Sequence, residues 1–150
     1  MAEKRVRRRW QIQLEDAGLD GYVDVGESLS SYELARLAEA EERFGLIYVD
    51  GSHRFEDVFI DFYFARAILE PGGYLLFDDS SDSEVAKVIR FVQRNLQEHF
   101  QQISVRHYRD GDCVATATLW LAENLQRSQL TIFRKLQDGE RHGAQRMRSF

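Results

Sequence analysis

Two apolar runs in this sequence stop abruptly at carboxylates. Leu46-Ile47-Tyr48-Val49 ends at Asp50-Gly51, and Tyr74-Leu75-Leu76-Phe77 ends at Asp78-Asp79. Short continuous apolar runs bounded by turn residues read as strands buried on both faces of a parallel sheet. If the two strands are neighbours joined by a right-handed crossover, their carboxyl ends lie side by side, about 4.8 Å apart. Asp50, Asp78 and Asp79 could then converge on one ion. Three clustered carboxylates repel one another and shift each other's pKa. A hard divalent cation such as magnesium removes that penalty, and its preference for oxygen matches these ligands. Such an ion keeps positions open for a substrate hydroxyl and acidifies it. His53, three residues beyond Asp50, is placed to take that proton near neutral pH.

The same residues have plainer readings. Asp78, Asp79 and Asp82 precede a helical segment, where aspartate serves as an N-cap and complements the helix dipole. His53 in a loop fits a surface role, and Asp50-Gly51 alone fits an ordinary turn.

The elements that must position these groups follow from periodicity. A charged helix from about Arg7 to Ala17 ends at Gly18, and Tyr22-Val23-Asp24-Val25 alternates as a short strand. Ser30-Ser31-Tyr32-Glu33 fits a capping box ahead of a helix with Leu34, Leu37 and Ala38 on its apolar face. The segment from about Glu56 to Leu69 repeats Val58, Phe59, Phe62, Ala65 and Leu69 at helical spacing, and Pro71-Gly72-Gly73 terminates it. Ser81-Asp82-Ser83-Glu84 is a second capping box, opening a helix whose Val85, Val88, Ile89, Val92 and Leu96 share one face. Ile103, Val105 and His107 mark a strand and Thr131-Ile132-Phe133 a last one, while residues 111–129 fit either strand or helix. The polar, basic residues after Gln137 form a fraying tail, so the domain spans residues 1–137 and the tail 138–150. Strand and helix in alternation give an α/β fold with a mostly parallel sheet. In such sheets chemistry collects at the carboxyl ends of the strands, where Asp50 and Asp78-Asp79 fall.

The 150 residues carry a formal net charge of −5 and no long apolar stretch, which points away from nucleic acid and membrane partners. The basic run Lys4-Arg5-Val6-Arg7-Arg8-Arg9 is followed by Glu15 and Asp16 and reads as a solvated helix face. A single cysteine, Cys113, allows no intrachain disulfide and favours a cytoplasmic setting.

Two segments taken together resemble a known family. Phe44-Gly45-Leu46-Ile47-Tyr48-Val49-Asp50-Gly51-Ser52-His53-Arg54-Phe55-Glu56-Asp57-Val58 is similar to the aspartate-glycine-x-histidine signature of a group of class I S-adenosylmethionine-dependent methyltransferases. Leu69-Glu70-Pro71-Gly72-Gly73-Tyr74-Leu75-Leu76-Phe77-Asp78-Asp79 resembles the leucine-x-proline-glycine-glycine turn and strand that follows it in such domains. The likeness runs from about Asp20 to Phe100, loosely to Phe133, and is nearest the branch of cephalosporin hydroxylase-like and macrolide sugar O-methyltransferases. It implies metal-assisted O-methylation of a small-molecule hydroxyl, with magnesium on Asp50, Asp78 and Asp79 and His53 as general base. It also implies that Val25-Gly26-Glu27-Ser28 is the loop after the third strand, so that Glu27 and Ser28 contact the adenine of S-adenosylmethionine. Asp61 matches a further acidic position in the helix after the signature.

The departure from that family is large. The glycine-rich turn after the first strand, G-x-G-x-G, occurs nowhere in this sequence, and Gly72-Gly73 lies between a helix and a strand, the wrong context for it. The family's strand order is 3-2-1-4-5-7-6, so a chain without strands one and two lacks the middle of its sheet. The resemblance therefore implies a partial Rossmann-like sheet, mostly parallel with an antiparallel C-terminal strand. Tyr22–Val25 would then pair directly on the Leu46–Val49 strand, meet a second chain, or be disordered. A non-catalytic, truncated module that forms homo-oligomers through its exposed sheet edge is the competing expectation.

Overall fold

The computed structural model of the chain describes residues 12–104, 129–139 and 149. The basic run at 4–9, Cys113, Val105 and His107, residues 111–128 and most of the polar tail lie outside these residues. A helical turn over residues 12–16 closes at Gly18, whose φ of 65° suits glycine. Then follow α1 (Ser30–Glu39), β1 (Phe44–Val49), α2 (Phe55–Ile68), β2 (Leu69–Phe77), α3 (Ser83–Asn95), β3 (Phe100–Ile103) and β4 (Thr131–Lys135).

The sheet order is β1-β2-β4-β3. β1 and β2 pair in parallel, and β4 runs antiparallel to both β2 and β3. Three strands thus share one direction and the C-terminal strand opposes them. This is the 4-5-7-6 portion of the strand order expected above.

The apolar stripes of α2 and α3 account for the core. Val58, Phe62 and Ala65 of α2 and Val85, Val88, Ile89 and Val92 of α3 are buried against Leu75, Phe77, Phe100 and Phe133 of the sheet. Phe62 lies at the centre, with ring contacts to Phe59, Phe77, Phe91 and Phe100 at centroid separations of 6.0 to 6.3 Å. Such aromatic contacts add to the burial of apolar area that drives the fold.

Four expectations are corrected. First, β1 is not covered on both faces: Ile47 and Val49 pack on the core, whereas Leu46 and Tyr48 point the other way and are 59% and 49% exposed. Alternation along the strand separates the two sets. Second, Tyr22–Val25 is not a strand and does not pair on β1, whose only strand neighbour among the described residues is β2. Its apolar side chains stay exposed, Tyr22 at 86%, Val23 at 45% and Val25 at 58%.

Third, Pro71-Gly72-Gly73 does not separate helix from strand. The helix stops at Ile68, and β2 already pairs at Leu69 with Phe44. The next partners are Leu46 and Tyr74, so residues 70–73 bulge out of the ladder. Gly72 takes a φ of 87°, and a Cβ on Gly73 would lie 2.8 Å from the Gly45 carbonyl oxygen. Fourth, Ser30 does not cap α1. The N-cap position is Leu29, without a side-chain cap, and the Ser30 hydroxyl donates to Asp61 Oδ1 at 2.8 Å instead.

Candidate functional site

The acidic breaks meet at the C-terminal rim of β1 and β2. The ladder runs one step past the strands, with Asp78 N–H donating to the Val49 carbonyl at 3.0 Å. That bond sets the Asp78-Asp79 turn beside the Asp50-Gly51-Ser52-His53 turn, and together they line a cleft floored by Val49, Val58, Phe77 and Val85. The enclosed volume is about 10 Å³, enough for one water, so any organic substrate would lie over the cleft rather than inside it.

Each polar group at this rim has a defined partner or neighbour. Asp79 sits in the left-handed region with φ 44°, which aspartate tolerates better than most residues. Its Oδ2 lies 3.0 Å from His53 Nε2. Asp82 serves two purposes: Oδ1 caps α3 by accepting the Glu84 N–H at 2.8 Å, and Oδ2 lies 3.7 Å from His53 Nδ1. The half-exposed imidazole is therefore held between two carboxylates. Ser80 braces the turn from below, its hydroxyl donating to the Phe77 carbonyl at 2.9 Å.

Tyr48 donates its hydroxyl to Asp78 Oδ2, while Asp78 Oδ1 accepts the Asp79 N–H at 2.9 Å. These two bonds, with a smaller contribution from the charge of His53, hold the Asp78 carboxyl below its ordinary range. The same bond pushes the Tyr48 phenol up to about 12, helped by burial and by the negative field of Asp78, Asp50 and Asp79. Asp50 thus belongs to the same electrostatic cluster.

Asp61 ties this rim to the loop before α1. It is buried, accepts the Ser30 hydroxyl, and its Oδ2 would lie 3.5 Å from a Cβ placed on Gly51. Burial is the main cause that raises its pKa, with Asp57 adding to it and the Ser30 bond opposing. Glu27 and Ser28 lie in that same exposed loop. The Ser28 hydroxyl donates to Glu33 Oε1 at 2.6 Å, and Arg36 Nε donates to the other Glu33 oxygen at 2.9 Å. A side chain on Gly26 would press on Glu33 Cγ at 3.1 Å. Glu33 therefore pins the loop.

A family model described as "Methyltransferase domain" matches residues 2–80, more than half of the chain. The chain belongs to the methyltransferase domain family. A comparison with curated proteins finds no match. The matched region of the methyltransferase domain includes Glu27, Ser28, Asp50, His53, Asp78 and Asp79 and closes at the end of the carboxylate turn. Membership of this family implies S-adenosylmethionine as the methyl source in general. Among the described residues no helix is long and apolar enough to cross a membrane.

The structure brings Asp50, His53, Asp78 and Asp79 to one rim, but the carboxylates are not arranged as a cation site. Among the described residues no group of three or more His, Cys, Asp or Glu side chains converges to hold a metal ion. Asp78 spends its oxygens on Tyr48 and on a backbone N–H, and Asp79 spends one on His53. Magnesium on these three aspartates does not fit this geometry, because an octahedral ion needs oxygens aimed at one point. Sequence reasoning passed over Tyr48, Glu33 and the second role of Asp82. The signal for Tyr48 was a phenol one residue before the end of an apolar run; Asp82 was recognised as a cap only.

Proposed function

We propose that this domain methylates a hydroxyl of a small molecule, with S-adenosylmethionine as donor and His53 as the base. The observation that carries the reading is the imidazole held between Asp79 and Asp82 at the C-terminal rim of two parallel strands. The cofactor, when bound, supplies an electrophilic methyl on a sulfonium. Asp79 accepts the Nε2–H of neutral His53, which fixes the tautomer and leaves Nδ1 to take a proton. The 3.7 Å separation of Nδ1 from Asp82 is too long for a hydrogen bond and leaves that nitrogen open. With the cofactor bound over this rim, His53 Nδ1 would take the proton of the acceptor hydroxyl as that oxygen accepts the methyl and the sulfonium leaves as the neutral thioether. The imidazolium so formed lies between two carboxylates, which stabilise the charge as it develops. Glu27 and Ser28, in the loop pinned by Glu33, are the adenine contacts in this reading. A cytoplasmic setting and kinship with cephalosporin hydroxylase-like and sugar O-methyltransferases belong to the same proposal.

Methyl transfer to a panel of phenolic and sugar hydroxyls at saturating cofactor tests it. His53→Asn is expected to lower turnover about a hundredfold or more; an unchanged rate would overturn the role of His53.

The second reading is a non-catalytic module that self-associates. It is favoured by exposed Leu46 and Tyr48 on edge strand β1 and by the absence of any buried residue in α1. A concentration-dependent dimer without cofactor affinity would select it over the first.

A further inference from the structure

The opposite rim of the sheet carries a separate feature. β1 and β2 begin there, antiparallel β4 ends there, and a cavity of about 480 Å³ opens between α2 and these strand ends. That volume is in the range of small-molecule sites. Its lining includes Arg43, Arg66, Lys135 and His99, set against the single carboxylate of Asp138, and the aromatic ring of Tyr63. Three fixed cations against one anion stand out in a chain whose net charge is −5.

The cations are not equivalent. Lys135 is 3% exposed, and its ammonium is fully committed: it donates to the carbonyls of Arg66 at 2.8 Å and Leu69 at 2.6 Å, and pairs with Asp138 at 2.5 Å. Asp138 is thereby occupied, and the Lys135 bond holds its carboxyl below the ordinary range. Arg43 donates one bond to the Ala67 carbonyl at 2.7 Å and reaches Asp138 only at 3.7 Å. Its other N–H groups have no hydrogen-bond acceptor among the described residues. Arg66 lies over the Tyr63 ring, 5.5 Å from its centroid. That contact orients the guanidinium, whose N–H groups have no hydrogen-bond acceptor among the described residues. His99 lines the same cavity, its buried Nδ1 without a hydrogen-bond partner among the described residues.

We infer that this cavity binds a small phosphate monoester, with Arg43 and Arg66 gripping the dianion and the ester's apolar body lying against Tyr63. Guanidinium groups with free parallel donors match phosphate geometry. The site lies across the sheet from His53 and stands whether or not the methyl-transfer reading holds.

Calorimetric titration of the whole chain with phenyl phosphate, inorganic phosphate and benzoate tests the inference. Phenyl phosphate is expected to bind tightest, inorganic phosphate more weakly for want of an apolar body, and benzoate most weakly for want of a second charge. Affinity should fall as salt rises. Arg43→Gln and Arg66→Gln should each weaken phenyl phosphate about tenfold or more, while His53→Asn leaves it unchanged. Equal affinity for benzoate and phenyl phosphate would overturn the dianion assignment. Binding that survives both arginine substitutions in folded protein would overturn the site.

Discussion

Tyr48 donates a hydrogen bond to Asp78 at the rim of the cleft, and the pH dependence of each group follows from that bond. The Asp78 carboxyl is held below its ordinary range. The contact therefore supports the fold at pH values above the unfolded carboxylate's pKa, and the support disappears as pH falls through the lowered value. The phenol is pushed up to about 12, so its share is complete below the unfolded tyrosine's pKa of about 10 and is lost as pH rises through the higher value. Tyr48→Phe should move the Asp78 titration upward, measured by the carboxyl carbon shift. Asp78→Asn should return the phenolate absorbance of Tyr48 toward about 10. Asp61 has the opposite sign. Burial raises its pKa, so the folded state holds the proton more tightly and stability declines as pH rises through the carboxylate range. Asp61→Asn keeps an acceptor for Ser30 and removes the buried charge. Thermal melts should show the variant more stable than the parent at pH 7, with the difference closing below about pH 4.

At the scale of elements, the bulge at residues 70–73 sets the register that brings Asp50 beside Asp78. A Cβ on Gly73 would meet two backbone oxygens, those of Gly45 at 2.8 Å and Glu70 at 2.9 Å. Neither can swing aside as a flexible side chain could. Gly73→Ala should cost about 1–3 kcal/mol in urea unfolding, the range of an overpacked site. Proline and glycine in this stretch announced a break in regular structure, and a break is there. What the sequence does not show is that β1 reaches back to Leu69 and turns the break into a bulge, because that depends on a partner distant along the chain. The helices were more legible. Val58, Phe62 and Ala65 and the Val85, Val88, Ile89 and Val92 stripe are buried as their spacing predicts, since helical periodicity is a local property. Capping was legible only in part. Asp82 caps α3, but Ser30 answers to the buried Asp61, a tertiary partner that outweighs the local pattern.

For the whole molecule, the order of strands decides which surfaces remain open. The two motifs and the carboxylate breaks were enough to place β1 and β2 side by side in parallel, and the observed order continues through β4 to β3 as the resemblance implies. That the three carboxylates do not converge on a cation was not legible from spacing, because side-chain direction depends on the turn at Asp79 and on where the phenol of Tyr48 falls. The register leaves Leu46, Tyr48, Tyr74, Leu76 and Ile132 on the sheet face opposite the helices that form the core, since Leu46 pairs with Tyr74, Tyr48 with Leu76, and Leu76 with Ile132. β1 ends this sheet among the described residues, so its unpaired backbone groups and two exposed apolar side chains occur together, the combination that favours association between strand edges. Two-fold pairing of β1 with the β1 of a second copy satisfies both at once, because an isologous contact presents the same edge from each side. Sedimentation equilibrium should then show the average mass rising with concentration toward that of a dimer. Leu46→Lys should hold the chain monomeric with its circular dichroism unchanged, because Leu46 is 59% exposed and contributes nothing to the core. A parent chain that stays monomeric at high concentration would mean that the edge is satisfied without a second copy, and the self-associating reading would fall.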